Sequence, residues 1–365
     1  MKGLFSIIED LLIQNIPFLG KIFGVPKYEF GWIIHPRNEA DFARKFKSHG
    51  NFIIKFSRFL WPFRAGEIKI LSANGVKEKK GCIIAIPLTT KQILSNEKLS
   101  EKRIFKSIKL AEALGVKNLG AAGIAGVIIE KKKDKFKTLS QTKIHLTNGF
   151  TLLLAVAFDK ISSLINKYKS NLKEIRLGVI GATSVLGQPF TKLLAESNLD
   201  IQKITLFGKT PQNLASLKKE ITNANSHSTV EITTDLAETK KCNFLVVAIN
   251  SLGAVIEQKN LALNTIILDI TQPPNKYIQE IKKIKERRDL MITDNLLINT
   301  PDVEYDLDIG IPPAQSYVCV GETLLSLKDS EGYKRAFPQE GISKIDLKTI
   351  AAVKNFLLKY YDYTK

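Results

Sequence analysis

The sequence predicts an α/β protein of two domains. Its 365 residues are too many for one ordinary hydrophobic core. Short apolar runs alternate with amphipathic helical runs along the chain, a pattern typical of α/β units. In the stretch Leu177–Gly187, LGVIGATSVLG, an apolar strand enters a turn of small residues and then a helix that starts near Gly187. These three observations fix the predicted class.

The domain boundaries follow from changes in composition. We predict an N-terminal mixed α/β substrate domain over residues 1–168, ended by the polar hinge Lys167–Asn171. A Rossmann-type nucleotide-binding domain follows over 169–300, and a C-terminal helical segment over 301–365 carries Cys319. Helices are predicted at 318–328 and 344–360, and we expect them to pack back against the first domain.

The first domain begins with the amphipathic segment 1–25. Apolar residues recur there at helical spacing, but the segment is too short and too charged to span a bilayer, and it lacks the features of a signal peptide. It can lie on a membrane surface, pack on the domain or form a subunit contact. Residues 51–64 are aromatic and basic and fit an irregular core helix, an acyl pocket or a membrane contact.

The rest of the first domain alternates strands and helices. Strands are predicted at Phe30–His35, at 68–71 and at 81–87, and a helix capped by Asn38 at 39–47. A helix over 101–115 ends at Gly115. The remaining predictions are a strand and glycine-rich turn over 118–129, a charged hairpin tip or loop over 130–137, and a long helix that opens at 144–151 and runs to Ile165.

The turn of the second domain predicts a dinucleotide site. A first glycine permits the tight turn, and the helix that follows offers free N–H groups to a pyrophosphate. Later strands, near 231–232 and at 243–248 and 265–270, end in small or polar residues at the same predicted sheet edge. The predicted cofactor-binding residues are Gly181, Thr183, Ser184, Gly187, Lys209, Ala248 and Asn250.

The strand Lys203–Phe207 indicates which dinucleotide binds. Its tip normally carries an acid for a ribose diol or a base for a 2′-phosphate. The tip here reads Gly208-Lys209-Thr210, without an acid and with a lysine. The sequence therefore predicts NADPH as the cofactor.

Charge and cysteine content limit the class of partner. The formal net charge is +18, from 54 Lys+Arg and 36 Asp+Glu, which reflects either a lysine-rich composition or an acidic partner such as an anionic membrane or an acidic carrier protein. The lysines are spread out and not interleaved with aromatic residues, which argues against nucleic acid. Cys82, Cys242 and Cys319 have no paired spacing, so we expect a reducing, cytoplasmic location and no metal site.

Cys319 is the candidate nucleophile. It lies in Gln315–Leu325, QSYVCVGETLL, where a helix is predicted to start, and a helix N-terminus favours the thiolate. By residue type alone, a cysteine between valines is more often a small buried apolar group. His35, His145 and Tyr317 are candidate proton donors, although lone histidines are usually structural.

Several stretches in the same order resemble the long-chain acyl-(acyl-carrier-protein) reductases and their broader relatives, predicted amino-acid dehydrogenases and shikimate-dehydrogenase-like proteins. The resemblance spans most of the chain from Phe30. Its local matches are the helix over 102–114 with LGVKNLGAAG, the turn Leu177–Gly187, NFLVVAINSLG at 243–253, IILDITQPPN at 266–275, YVCVGETLLSLKDSEG at 317–332 and ISKIDL at 342–347.

The resemblance implies a reaction at Cys319. Its thiolate would attack an acyl thioester of acyl carrier protein or CoA, and the bound acyl group would take hydride from NADPH and leave as a fatty aldehyde. Gly120, Gly123 and Thr147 match the implied substrate and oxyanion region. An acidic carrier protein would suit the positive charge of the chain.

Three positions depart from the pattern of that family. Ser184 stands at a glycine position, Asn148-Gly149 reverses the expected order, and Ile124-Ala125 lacks the expected hydroxyl. These departures leave two alternatives open. One is an NADP-dependent dehydrogenase of shikimate or amino-acid type, although we find no Lys–Asp pair at the strand ends. The other is a catalytically impaired relative that binds acyl chains or a membrane.

Overall fold

A computed structural model describes residues 2–13, 15, 26–36, 41, 57–72, 77–121, 123–139, 144–223, 227–249, 256–271, 274–294, 296–337, 342 and 345–363. The chain divides into two compact units. Unit 1 comprises Met1–Gly149 and Leu297–Ser330, and unit 2 comprises Phe150–Leu296 and Glu331–Lys365. These boundaries differ from those drawn on the sequence, because the helix after Gly149 belongs to unit 2 and the segment 297–330 belongs to unit 1.

The helices within the described residues are α1 Lys2–Ile13, α2 Thr90–Ser95, α3 Glu97–Ala113, α4 Gly123–Lys131, α5 Lys133–Leu139, α6 Phe150–Tyr168, α7 Gly187–Glu196, α8 Pro211–Asn223, α9 Lys276–Ile281, α10 Val318–Lys328, α11 Ser330–Ala336 and α12 Leu347–Leu357.

The strands in the same ranges are β1 Phe30–Ile34, β2 Phe63–Ile70, β3 Lys79–Ala85, β4 Asn118–Ala121, β5 His145–Thr147, β6 Arg176–Ile180, β7 Lys203–Phe207, β8 Thr229–Thr233, β9 Phe244–Val247, β10 Ile266–Asp269, β11 Met291–Thr293, β12 Leu297–Asn299, β13 Val303–Tyr305 and β14 Gln315–Tyr317.

Unit 1 is built on a mixed sheet in the order β13-β2-β3-β1-β4-β5. The strands β3, β1, β4 and β5 are parallel to one another, and β2 and β13 are antiparallel to their neighbours. Ile33 of β1 and the alternate residues Cys82 and Ile84 of β3 enter a core cluster that the apolar side chains of α3 and α4 complete. The parallel strands end together at the edge where α4 begins, so the loops at this edge can form a site.

The charged segment 130–137 is helical, not the predicted loop. Residues 123–131 form α4 and residues 133–139 form α5. Lys132 and Lys135 pair with the carboxylate of Glu101 on α3, and Phe136 is buried in the core. These tertiary contacts stabilise helix in a segment whose charged composition is typical of an exposed loop. The predicted strand over 118–129 likewise ends at Ala121, and the predicted helix opening at 144 contains β5 first.

Unit 2 contains a fully parallel sheet in the order β11-β10-β9-β6-β7-β8. If β6 to β11 are numbered 1 to 6, the order read from the β8 edge is 3-2-1-4-5-6, which is the strand order of the Rossmann fold. The α/β class and the Rossmann-type domain predicted from the sequence are therefore confirmed. The switch point of this sheet lies between β6 and β9, where ligands bind in such folds.

The C-terminal helix α12 packs on α6 within unit 2. Lys354 and the hydroxyl of Tyr363 both bind the carboxylate of Asp159 on α6, the latter at 2.8 Å. Helix α10 instead packs on β4 within unit 1. The sequence predicted both helices; α10 packs on a strand of unit 1, whereas α12 packs on α6, which belongs to unit 2 and not to the first unit.

Helix α1 is anchored by its acidic side. Glu9 and Asp10 bind the guanidinium of Arg64 on β2, and the backbone N–H of Arg64 donates to Asp10 at 2.6 Å. In the described part of the chain, no helix combines the length and apolar character of a membrane span. Most of the predicted helix 39–47 falls outside the described residues, as does its predicted cap Asn38; of this helix the structure describes Asp41. Residues 51–56 also fall outside the described residues.

Candidate functional site

The β6–α7 turn of unit 2 requires glycine at two positions. Gly181 has φ +81°, a left-handed backbone conformation that L side chains rarely adopt. Gly187 opens α7, and a Cβ built there would lie closer than 3.0 Å to the carbonyl oxygen of Gly181. The chain thus brings the helix N-terminus tightly against the end of β6, which is the geometry that a bound pyrophosphate needs.

Ser184 closes this turn against β9. Its hydroxyl donates to the carbonyl oxygen of Ala248 at 2.7 Å and accepts the N–H of Gly187 at 2.9 Å. The hydroxyl therefore has a structural role at the position where the sequence pattern expected glycine. Ala248 in turn donates its N–H to the carbonyl of Ile180 at 2.9 Å, so β6, the turn and the end of β9 are joined directly.

The turn has backbone N–H groups that are free to donate hydrogen bonds to a pyrophosphate. Among described residues, the backbone N–H groups of Thr183, Val185 and Leu186 donate no hydrogen bond. They precede α7, whose dipole places partial positive charge at this end. The site therefore offers donors and positive potential at one place, although Ser184 has taken the N–H of Gly187.

The tip of β7 carries the predicted specificity residue. Lys209 is exposed and, in the described ranges, forms no ion pair. A Cβ built on the neighbouring Gly208 would lie 3.5 Å from the hydroxyl of Thr183, so the tip of β7 adjoins the glycine turn. Asn250, the remaining predicted cofactor residue, lies outside the described residues.

Asp269 is a residue of this edge that the sequence analysis missed. It ends β10, is fully buried, and accepts hydrogen bonds from Thr271 N–H at 2.9 Å, Thr271 Oγ1 at 2.7 Å and Asn275 N–H at 2.6 Å. Burial raises its pKa to about 6. Asn275 donates its side-chain amide to Ile249 at 3.1 Å, so this network connects the ends of β9 and β10. An acid ending the apolar run TIILD was the available signal.

Two helix N-termini of unit 1 meet at the sulfur of Cys319. Cys319 follows Val318, the first residue of α10, and the backbone N–H groups of Gly123, the first residue of α4, and of Val320 lower the pKa of its thiol. Partial positive charge and N–H donors at this position stabilise a thiolate. Of the predicted oxyanion residues, Gly123 is the one that the fold brings to the sulfur.

Burial opposes that stabilisation. The Cys319 side chain is 5% exposed, and desolvation raises the pKa of its thiol to about 12 despite the backbone N–H groups. The carboxylate of Glu322, one turn along α10, acts in the same direction. The thiol is therefore protonated at neutral pH in this structure, and it could act as a nucleophile only if water, substrate or a base reached it.

Gly120 and Thr147 pack α10 closely against the sheet. The hydroxyls of Thr147 and Thr323 lie 2.8 Å apart in a buried hydrogen bond. A Cβ built on Gly120 would approach both Thr323 Oγ1 and Trp32 Cδ1 closer than 3.0 Å. Both residues therefore lie beside α10, where any side chain larger than glycine at position 120 would push the helix away.

Gly149 explains one departure from the family pattern. It has φ +73°, and a Cβ built there would overlap the Cys319 backbone, closer than 3.0 Å to its Cα, C and O atoms. Neighbouring Asn148 donates to the carboxylate of Glu130 at 2.6 Å. The exchanged order Asn148-Gly149 therefore places a glycine, which has no Cβ, beside the candidate nucleophile.

The histidines and Tyr317 have other positions. His35 accepts the N–H of Ile124 on Nε2 at 3.2 Å, which ties it to the start of α4. His145 is exposed at the start of β5, and Tyr317 is the N-cap residue of α10. His35 thus lies near the Gly123 end of the cysteine site, in a structural hydrogen bond.

A buried Lys–Asp pair exists that the sequence analysis did not find. Lys328 pairs with Asp302, and their side chains are 4% and 11% exposed. Lys328 ends α10, so the helical rise places it about 13 Å along the axis from Cys319. This pair lies in unit 1, away from the cysteine. In the described ranges, no group of three His, Cys, Asp or Glu residues could hold a metal ion.

Comparison with known proteins gives similarity of fold only. No family model and no curated protein matches the chain. Similar solved structures include L-tryptophan dehydrogenase from Nostoc punctiforme, at 12% identity over 91% of this chain and 80% of that chain with a TM-score of 0.38. Another is quinate dehydrogenase from Corynebacterium glutamicum in complex with NAD, at 10% identity over 73% and 88% with a TM-score of 0.37. Both of these proteins are dehydrogenases, and neither is an acyl-(acyl-carrier-protein) reductase.

Proposed function

We propose that the protein is a nicotinamide-dependent oxidoreductase whose unit 2 binds the dinucleotide. The observation that carries the proposal is the Gly181–Gly187 turn at the switch point of a parallel sheet in Rossmann order. When bound, a nicotinamide dinucleotide supplies or accepts a hydride. In this proposal the N–H groups before α7 bind the pyrophosphate, and Ser184 holds the turn in place.

The preferred dinucleotide in this proposal is NADPH. Support comes from Lys209, an exposed cation at the tip of β7, where a 2′-phosphate binds in folds of this type. The test is fluorescence titration with NADPH and NADH. We expect tighter NADPH binding, a loss of that preference in Lys209→Glu, and wild-type behaviour in Lys219→Glu, an equal charge change on exposed α8. Failure to bind either dinucleotide would overturn the proposal.

The first candidate substrate is an acyl thioester. Support comes from the Gly123 and Val320 N–H groups at the Cys319 sulfur. In this reaction the sulfur attacks the acyl carbon, its proton leaves with the departing thiol, and the acyl group becomes bonded to Cys319. The same N–H groups would stabilise negative charge at the reacting centre. An acyl carrier protein or CoA would deliver the substrate.

The second candidate is dehydrogenation of a small polar substrate of amino-acid or shikimate type. The burial of Cys319 favours it, because a thiol whose pKa is raised to about 12 is a poor nucleophile at neutral pH. In this reading Cys319 serves only to pack α10 against β4 and Gly149. Catalysis then requires no covalent adduct.

One experiment separates the two candidates. The full-length protein is incubated with radiolabelled long-chain acyl-CoA and analysed for hydroxylamine-sensitive label. Thioester chemistry predicts label on wild type and on Cys242→Ala, and none on Cys319→Ala. The second candidate predicts no label, together with NADP reduction by an amino or hydroxy acid that survives thiol alkylation. Equal labelling of Cys319→Ala would exclude the covalent role of this residue.

A further inference from the structure

Unit 1 exposes apolar and basic side chains side by side. On α1, Ile8 is 47% exposed and Leu12 is 37% exposed, and Phe59 is 62% exposed. We call this surface the α1–α3 face and define it by Ile8, Leu12, Phe59, Trp61, Lys102 and Lys106.

The exposed stripe of α1 adjoins the lysines of α3. Ile8 and Leu12 are one helical turn apart and therefore lie on one side of α1. Asn15, which directly follows this stripe, donates its N–H to Leu12 at 3.1 Å and accepts the ammonium of Lys106 at 2.6 Å. The apolar stripe and the basic side of α3 are therefore continuous.

Trp61 connects Phe59 to the same lysines. Its ring centroid lies 5.3 Å from Lys102 Nζ and 5.1 Å from Lys106 Nζ. Arg103, whose guanidinium is 4.5 Å from that ring, donates to the carbonyl of Arg58, the neighbour of Phe59. An indole with an apolar body between cations is typical of side chains at a membrane–water interface.

The positive charge of this face is uncompensated. Lys109 pairs with Glu112 at 3.3 Å, but no ion pair joins Lys102 or Lys106 to a carboxylate of the described chain. Burial and repulsion from Lys102 and Lys109 hold the pKa of Lys106 below its usual value. An anionic partner would relieve this crowding.

The acids of α1 do not offset these cations, because they are turned inward. Glu9 is bound to Arg64, and Asp10 is fully buried against the same guanidinium. Among the side chains of α1 that the structure describes, residues 8–13, the outward side is thus apolar, and it lies beside a basic helix. A polar face rich in lysine next to exposed aliphatic and aromatic side chains is the composition of a segment that lies in the membrane interface.

We propose that the α1–α3 face binds the surface of an anionic lipid bilayer. Phe59, Ile8 and Leu12 enter the headgroup region, and Lys102 and Lys106 contact lipid phosphates. The proposal goes beyond the dinucleotide and substrate assignments and does not depend on them. An acidic protein matches the charge but leaves the apolar stripe without a comparable partner.

Vesicle co-sedimentation of the full-length protein tests this. The vesicles are phosphatidylcholine alone or phosphatidylcholine with phosphatidylglycerol. We expect binding to the mixed vesicles only, and a partition coefficient at least about 25-fold lower for Lys102→Glu/Lys106→Glu, from about fivefold for each lysine. Phe59→Ser, an exposed substitution compatible with folding, also weakens binding. The matched control Lys218→Glu/Lys219→Glu makes the same charge change at two exposed residues of α8. It should lose less vesicle binding than the α3 variant.

Three results would overturn the proposal. The first is equal binding to both kinds of vesicle, since charge would then have no part. The second is wild-type partition of both the α3 double variant and Phe59→Ser. The third is failure to bind the mixed vesicles. If an acidic acyl carrier protein then binds and the α3 variant prevents this, the face belongs to a protein partner. Salt that releases the protein from mixed vesicles supports the proposal.

Discussion

The substitution Gly149→Ala tests the packing that surrounds the candidate nucleophile. Gly149 has φ +73°, and its missing Cβ would fall on the backbone of Cys319. The three atoms nearest to the added Cβ are all backbone atoms of Cys319, which cannot move aside as the end of a flexible side chain can. Accommodation therefore requires that the start of α10 shifts away from the segment between β5 and α6.

Two terms set the expected size of the effect. The left-handed conformation costs a residue with a Cβ about 1–2 kcal/mol. The overlap adds about 1–3 kcal/mol, the usual range for overpacking. Gly115→Ala is the matched control, since Gly115 has φ +83° but its Cβ would meet the flexible Lys27 side chain at 3.1 Å. The control should show the conformational term alone.

Urea unfolding followed by tryptophan fluorescence measures the difference. The two tryptophans, Trp32 and Trp61, both lie in unit 1, so the signal reports on the unit that contains both glycines. We expect a total loss of about 2–5 kcal/mol for Gly149→Ala, which lowers the midpoint by about 1–2 M at a typical m-value. Equal losses for Gly149→Ala and Gly115→Ala would refute the overlap argument, and so would wild-type stability of Gly149→Ala.

Three further predictions concern single residues. Gly187→Ala should abolish dinucleotide binding, measured by fluorescence titration, because its Cβ overlaps the carbonyl of Gly181. Ser184→Ala should lower the stability of unit 2 by about 1–2 kcal/mol and weaken dinucleotide binding, since it loses bonds to Ala248 and Gly187; unchanged affinity and stability would contradict this. Burial raises the pKa of Asp10 from 3.8 to about 6 although Arg64 acts in the opposite direction, so the stability that its protonation contributes is present below pH 4 and is lost as pH rises through about 6. Tryptophan-monitored urea midpoints at several pH values should show this loss, and Asp10→Asn should remove it.

Local sequence signals predicted much of the second unit. Its strands are apolar, short and bounded by turn residues, and its glycine turn has a defined backbone requirement, so positions such as Gly181 were identifiable from sequence alone. Helix α10 was predicted with its exact observed bounds, 318–328. These elements are specified by short-range pattern.

Tertiary contacts determined what the sequence could not give. The charged residues 130–137 fold as helix because Lys132 and Lys135 form ion pairs with Glu101. Glu101 lies 31 and 34 residues before them in the chain. The burial of Cys319 and the meeting of its sulfur with Gly123 arise from residues nearly two hundred positions apart, which spacing does not reveal. The role of Ser184 likewise depends on Ala248, which local pattern cannot place.

The interleaved composition of the two units has a consequence for biosynthesis. In unit 1, β2 pairs on one side with β13, and β4 is covered by α10, yet both partners lie after residue 296. While the ribosome makes unit 2, the N-terminal segment therefore has an open strand edge and an uncovered apolar surface. A nascent chain of this protein should bind chaperones that recognise such surfaces until β13 and α10, which lie between residues 303 and 328 of 365, have emerged. Release should coincide with synthesis of α10.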